Sequence, residues 1–181
     1  MKTRSGSGAS AKTLPAEAED RTSPFVTITE MARASRGSLV PILDQSFTGL
    51  YRWHARKTLH SIRWVKAASR DGRHVGLSMF KMLPGRTGYA YYIAVRPSQR
   101  SAGIGGLLLD DSLAVLRAAG AARVLACARA ENTPSIRLLE SRHFSRTGFA
   151  EVARSKGLVR AAVLWMRMVV APGERVYVRR M

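Results

Sequence analysis

The stretch from Tyr89 to Leu116 constrains this chain most: an uncharged strand, a proline stop, a glycine-bearing turn and a helix in direct succession. Tyr89, Ala90, Tyr91, Tyr92, Ile93, Ala94 and Val95 are aromatic, small or β-branched, the composition of a buried central strand. Pro97 donates no backbone N–H and turns the residue before it away from helix, so pairing stops there. Gln99-Arg100-Ser101-Ala102-Gly103-Ile104-Gly105-Gly106 follows, and then Leu107, Leu108, Leu109, Leu113, Val115 and Leu116 recur at helical spacing. A strand thus feeds a helix N-terminus through a turn with few side chains.

The first N–H groups of a helix lack intrahelical partners and carry the positive end of its dipole, so they bind anions that can approach them. Gly103, Gly105 and Gly106 permit the approach, and Arg100 adds a forked cationic donor. The same glycines also suit a tight turn without a ligand. A P-loop needs a lysine that this turn lacks, and a dinucleotide fingerprint needs glycine where Leu108 stands. What matches is Arg100-x-x-Gly103-x-Gly105 behind an apolar strand. Here the sequence resembles the GNAT-type N-acetyltransferase superfamily, whose segment of Gln or Arg, two residues, Gly, one residue, and Gly or Ala holds the pyrophosphate of acetyl-CoA.

The resemblance runs over residues 25 to 170 and implies an α/β chain with the GNAT acyltransferase fold, a central mixed, mostly antiparallel twisted sheet flanked by helices. It implies acetyl-CoA as donor substrate, no metal, and direct acetyl transfer to a primary amine of an amino acid, an amine metabolite or a peptide N-terminus. The cofactor-binding residues implied are Ile93, Ala94, Val95, Arg100, Ser101, Ala102, Gly103, Ile104, Gly105 and Gly106. Asn132 and Ser135 join them, at the start of a helix resembling the family's second signature. A backbone N–H near Val95 is expected to meet the thioester oxygen, with Ile93 and Val95 pairing to the pantetheine arm.

Three departures bear on mechanism. The family's helical tyrosine, proposed there as the acid for the leaving thiolate, falls on Leu139, and its terminal glycine falls on His143. The glutamate that many members carry on the central strand is missing; Tyr91 and Tyr92 are candidate acids, and Glu30, Asp44 or water through Tyr91 candidate bases. A lysine amine is neutral in only about one molecule in a few thousand at neutral pH, a cost of about 4 to 5 kcal/mol, against about 1 kcal/mol for an α-amino group. The missing strand carboxylate therefore favours an amine of low pKa.

Around this segment the chain reads as one domain, residues 24 to 181, behind a disordered tail over residues 1 to 23 that lacks a secretory h-region. Residues 25 to 29 form a first strand; Ser38 caps one helix and Trp53 to Ile62 forms another. Phe47, Thr48, Gly49, Leu50, Tyr51 and Trp53 connect them as acceptor-pocket or packing residues. Trp64 to Ala68 and His74 to Leu83 pair through the hairpin signal Asp71-Gly72, and Pro84 to Gly88 turns into the central strand. After Gly120, Arg123 to Ala128 forms a strand, Pro134 opens a helix, and Ala161 to Val170 alternates as a last strand whose apolar face suits a homodimer.

Thirty Lys and Arg against 12 Asp and Glu give a net charge of +18, which attracts polyanions in a salt-dependent way. The cations are scattered, so weak nucleic-acid contact is expected, and a CoA-binding or RNA- or ribosome-binding module is the alternative to an enzyme. The single Cys127 sits in an apolar stretch and favours a reducing, cytoplasmic compartment; no apolar run is long enough to span a membrane. His54, His60, His74 and His143 have no metal-ligand spacing and read as surface or packing residues.

Overall fold

The computed structural model describes residues 25 to 168 and 173 to 181; the expected N-terminal tail lies outside them. The first strand, β1 (Thr27–Glu30), leads through a 3-10 segment into α1 (Val40–Ser46) and α2 (Gly49–Ser61). Ser38 caps no helix: its hydroxyl donates to the Ser35 carbonyl, and α1 starts without a side-chain cap. A buried arginine stands in this corner instead. Arg36 donates to the carbonyls of Met31, Leu59, Ile62 and Arg63 at 2.9 to 3.2 Å, supplying donors to the C-terminal end of α2.

Strands β2 (Trp64–Arg70) and β3 (Arg73–Leu83) form the expected hairpin. Asp71 and Gly72 both have positive φ, 51° and 70°, as the primed two-residue turn requires. β4 (Thr87–Val95) follows antiparallel to β3, and α3 (Ile104–Ala118) packs behind it through Leu108, Leu109, Leu113 and Leu116. Gly120, at φ 86°, ends α3: its N–H donates to Arg117 O and that of Ala121 to Leu116 O.

The rest of the chain is β5 (Arg123–Arg129), α4 (Thr133–Glu140), β6 (Ser145–Thr147), α5 (Phe149–Lys156), α6 (Leu158–Met168) and β7 (Glu174–Arg180). Here one expectation fails. The stretch from Ala161 is helical to Met168, and the last strand is β7; residues 169 and 170 lie outside the described residues. Ala161, Leu164 and Met168 are the buried positions, a helical spacing that lays α6 against Tyr89, Leu125 and Val176 of the sheet. The apolar face expected of that strand is instead the stripe of α6 that packs on the sheet.

The sheet order is β1-β2-β3-β4-β5-β7-β6, antiparallel except where β4 meets β5. One face packs on α3 through Phe80, Ala90 and Ala126; the other packs on α1 and α2 through Leu77, Met79 and Ala94, and on α6. Gly76 and Gly88 sit where helix side chains press on the sheet, with Leu108 and Leu116 about 3 Å from where a Cβ would stand. Among the described residues no helix is long and apolar enough to cross a membrane.

Candidate active site

β4 and β5 pair only from Thr87 opposite Arg123 to Ala90 opposite Ala126. Beyond that point β5 continues with β7, down to Arg129 opposite Glu174, while β4 continues with β3. The register of β3 on β4 slips at Tyr91, which lies between the Phe80–Ala90 and Met79–Tyr92 pairs and is the extra residue of a β-bulge. The bulge bends the strand away and breaks the alternation, so Tyr89, Tyr91 and Tyr92 all lie towards the helices α1, α2 and α6. The two strands therefore part around a cleft of about 270 Å³.

The open edge of β4 carries unused backbone groups. The Arg96 N–H donates to Val75 O at 2.8 Å, so by strand alternation the amides of Ile93 and Val95 face the cleft side. Arg100 folds back over this edge and donates from Nε to Val95 O at 3.2 Å. Ser101 and Gly103 adopt φ of 64° and 75°, a sharp turn that starts α3 at Ile104 without a side-chain cap. The Gly106 N–H donates to Gly103 O at 2.9 Å, and of the first turn the N–H groups of Ile104 and Gly105 are left for a ligand or water. The Ile104 side chain is buried in the core, so that residue offers only its backbone; Ala102 and Gly103 are exposed.

Gly106 has a separate role. A Cβ there would run into Arg142 Nη2, and that guanidinium forks onto Asp110 with 3.2 and 3.1 Å bonds, tying the end of α4 to α3. At the other end of α4, Asn132 Oδ1 accepts from the Ser135 N–H at 3.2 Å, a helix cap, and both residues line the cleft. Leu139 is buried in the core, without a proton to give. His143 adopts φ 59°, the left-handed conformation that a glycine would take.

Among the described residues the cleft is aromatic with one acid, Glu174. Tyr51 donates from its hydroxyl to Glu174 Oε1 at 3.1 Å, and Arg129 lies 5.8 Å over the Tyr51 ring. Burial, then Glu174, pushes the Tyr51 hydroxyl up to about 12 and likewise that of Tyr91; burial also raises Tyr92, with Tyr91 and Glu174 adding to it. The three remain protonated at neutral pH. Tyr92 shares a 2.9 Å hydrogen bond with His54 Nδ1, and the His54 ring stacks on Tyr91 at 5.7 Å. Burial, with Lys57 and Lys81 alongside, lowers the His54 pKa, so the ring is neutral there. Burial drives the Cys127 thiol up to about 12, which makes it packing material rather than a nucleophile.

Sequence reasoning named Phe47, Thr48 and Tyr51, and all line this cleft; Leu50 is exposed and Trp53 lines a different cavity. Of the proposed bases, Glu30 pairs with Lys66 and Asp44 with Arg56, and neither lines the cleft. Glu174 and the contacts of His54 escaped it. Glu174 lay past the strand assigned as last, although Arg175-Val176-Tyr177-Val178 has a strand composition of its own.

The comparisons with known proteins agree with this architecture. Residues 27–144, well over half of the chain, match the Acetyltransferase (GNAT) family. A mycothiol acetyltransferase of Thermomonospora curvata is 37% identical over 79 residues, a match spanning 44% of this chain and only 27% of that relative. Among solved structures, PaiA N-acetyltransferase from Thermoplasma acidophilum in complex with coenzyme A superposes with TM-score 0.66 at 9% identity, covering 87% of this chain and 99% of that one. The ribosomal-protein-S18-alanine N-acetyltransferase of Escherichia coli gives TM-score 0.63 at 15% identity, over 86% and 94% of the two chains. The divergence of β4 from β5, the glycine turn at the start of α3 and the family match lead to one conclusion: the chain belongs to the GNAT family of acetyltransferases.

Proposed function

We propose that the chain binds acetyl-CoA along the open edge of β4 and transfers its acetyl group to a primary amine delivered to the cleft beside Glu174. The observation that carries this reading is Glu174, a carboxylate supplied by β7 beside three protonated tyrosines where β4 itself offers no acid. The uncapped turn from Ser101 to Gly106, with Arg100 beside it, suits the pyrophosphate, and the cleft-side amides of Ile93 and Val95 suit the pantetheine arm. Asn132 and Ser135 flank that arm from the start of α4.

The chemistry is balanced by groups of this chain. Glu174 takes one proton from the ammonium, the neutral amine nitrogen forms its bond to the acetyl carbon, the carbon–sulfur bond breaks, and the second nitrogen proton passes to the departing sulfur, which leaves as the CoA thiol. The Val95 N–H meets the negative charge that grows on the thioester oxygen. Tyr91, held near 12, is a weaker acid than the departing thiol at about 8.5, so it steadies the thiolate by a hydrogen bond more than by full proton transfer. With a carboxylate present, the acceptor need not be an amine of low pKa.

Calorimetric titration of acetyl-CoA into the wild type and an Arg100→Ala/Gly103→Trp variant tests the reading, together with CoA release in the presence of an amine panel. Micromolar binding that is lost in the variant, with amine-dependent release, is the expected result. No binding to the wild type at moderate salt sinks it.

A further inference from the structure

A second cavity, of about 450 Å³, shares His54 and Tyr91 with the cleft and is walled by Trp53, Lys57, Arg63 and Lys81. Its cations lie against aromatic rings: Lys57 Nζ 5.3 Å over Trp53, Arg63 5.3 Å over Trp64, and Lys81 Nζ 4.8 Å over Tyr91. Lys81 also donates to Arg167 O at 3.2 Å. Among the described residues no carboxylate lines this cavity, and none of the three cations forms an ion pair. Burial, and then Arg167, lower the Lys81 pKa.

The two cavities thus differ in charge on either side of one residue pair: the cleft has Glu174 with an Arg129 that is paired to Glu131, whereas among the described residues its neighbour has no carboxylate. Glu174 provides negative charge in the cleft, and Lys57, Arg63 and Lys81 provide positive charge in its neighbour, with His54 and Tyr91 lining both. A molecule spanning them is aligned by charge, amine towards Glu174 and anion towards the lysines. Trp53, 58% exposed, gives the second cavity a flat apolar wall, and His54 and Tyr91 line the passage shared with the cleft.

We infer that the second cavity receives the far end of the acceptor and that this end carries a carboxylate or a phosphate, an inference that rests on the acetyl-transfer reading above. Lys57 and Lys81 are its principal contacts, one on α2 and one on β3.

The test uses the full-length protein, saturating acetyl-CoA and matched series of aminoalkyl carboxylates, aminoalkyl phosphates and aminoalkanols, followed by CoA release. The anionic members are expected to show KM about tenfold below the aminoalkanols. That ratio should fall towards unity in Lys57→Gln and Lys81→Gln but persist in Arg73→Gln on the β2–β3 hairpin. Whichever acid gains more identifies the anion. Aminoalkanols used as well as the acids, or a preference that survives both lysine variants, overturns the inference and leaves acetyl transfer standing. If no series is acetylated, tryptophan quenching by the same compounds in the CoA-bound protein decides: saturable quenching by the acids alone supports the anion subsite, and equal or absent quenching overturns it.

Discussion

Tyr51 and Glu174, 123 positions apart in the chain, meet through a 3.1 Å hydrogen bond that joins α2 to the first residue of β7 across the cleft. The bond fixes one carboxylate oxygen by a neutral donor. Replacing Glu174 by Gln keeps its shape and removes its basicity, so kcat should fall about 100-fold to 1000-fold while acetyl-CoA affinity holds. Tyr51→Phe, which only unfixes the acid, should cost roughly tenfold or less. Equal losses in the two variants would assign Glu174 a positioning role rather than proton transfer.

His54 gives stability a dependence on pH with a definite sign. Its folded pKa lies below the ordinary 6.5, so on acidification the unfolded chain takes up the proton first. The contribution is complete above 6.5 and is lost as pH falls from there towards the lowered folded value. Urea midpoints measured at about pH 7 and about pH 5.5 should therefore differ more in the wild type than in His54→Gln. Lys57→Gln, by removing the second cause of the depression, should give an intermediate slope.

Arg36, 3% exposed, spends its donors on four backbone carbonyls at the meeting of β1, α2 and β2. Arg36→Met fills part of the volume and leaves those carbonyls without their donor. A loss of roughly 3 to 5 kcal/mol is expected, read as a lower urea midpoint at unchanged m-value. A loss below about 1 kcal/mol would mean that water replaces the guanidinium at no cost.

The Gly106–Arg142 contact makes a claim about coupling. Gly106→Ala drives a methyl into Arg142 and should break its fork onto Asp110, giving little change or a small loss of stability. In an Arg142→Ala background the same substitution meets no guanidinium and should stabilise by about 0.5 to 1 kcal/mol through helix propensity alone. A thermal-unfolding double-mutant cycle checks this; additive effects would refute the contact.

Where local chemistry admits one conformation, the sequence was legible. Asp71-Gly72 and Gly120 dictate positive φ, and the glycine turn after Val95 has few other uses, so the hairpin, the end of α3 and the start of α3 fall where expected. The region after Ala161 failed because its apolar residues satisfy two periods at once. Ala162, Leu164, Met166 and Met168 read as an alternating strand, yet Ala161, Leu164 and Met168 are an equally regular helical stripe, and packing on the sheet selects the second. Losing β7 hid Glu174, since a lone acid at a strand start carries no local mark of its use. The bulge at Tyr91 was equally unreadable: it depends on where β3 and β5 pair, which is set by distant residues.

The parting of β4 from β5 after Ala90 leaves an unpaired strand edge inside a sheet rather than at its rim. Edges invite neighbouring chains to add themselves, and proteins usually blunt them with charge or proline. Here the defence is confinement. Arg100 covers the Val95 carbonyl, and the cleft is walled by the tyrosines on one side and by Asn132 and Ser135 on the other. A polypeptide strand brings side chains on both faces, whereas the pantetheine arm proposed for this edge is a linear amide without them. On the reading proposed above, the arm completes the sheet from within and takes the place that a neighbouring chain would take at an outer edge.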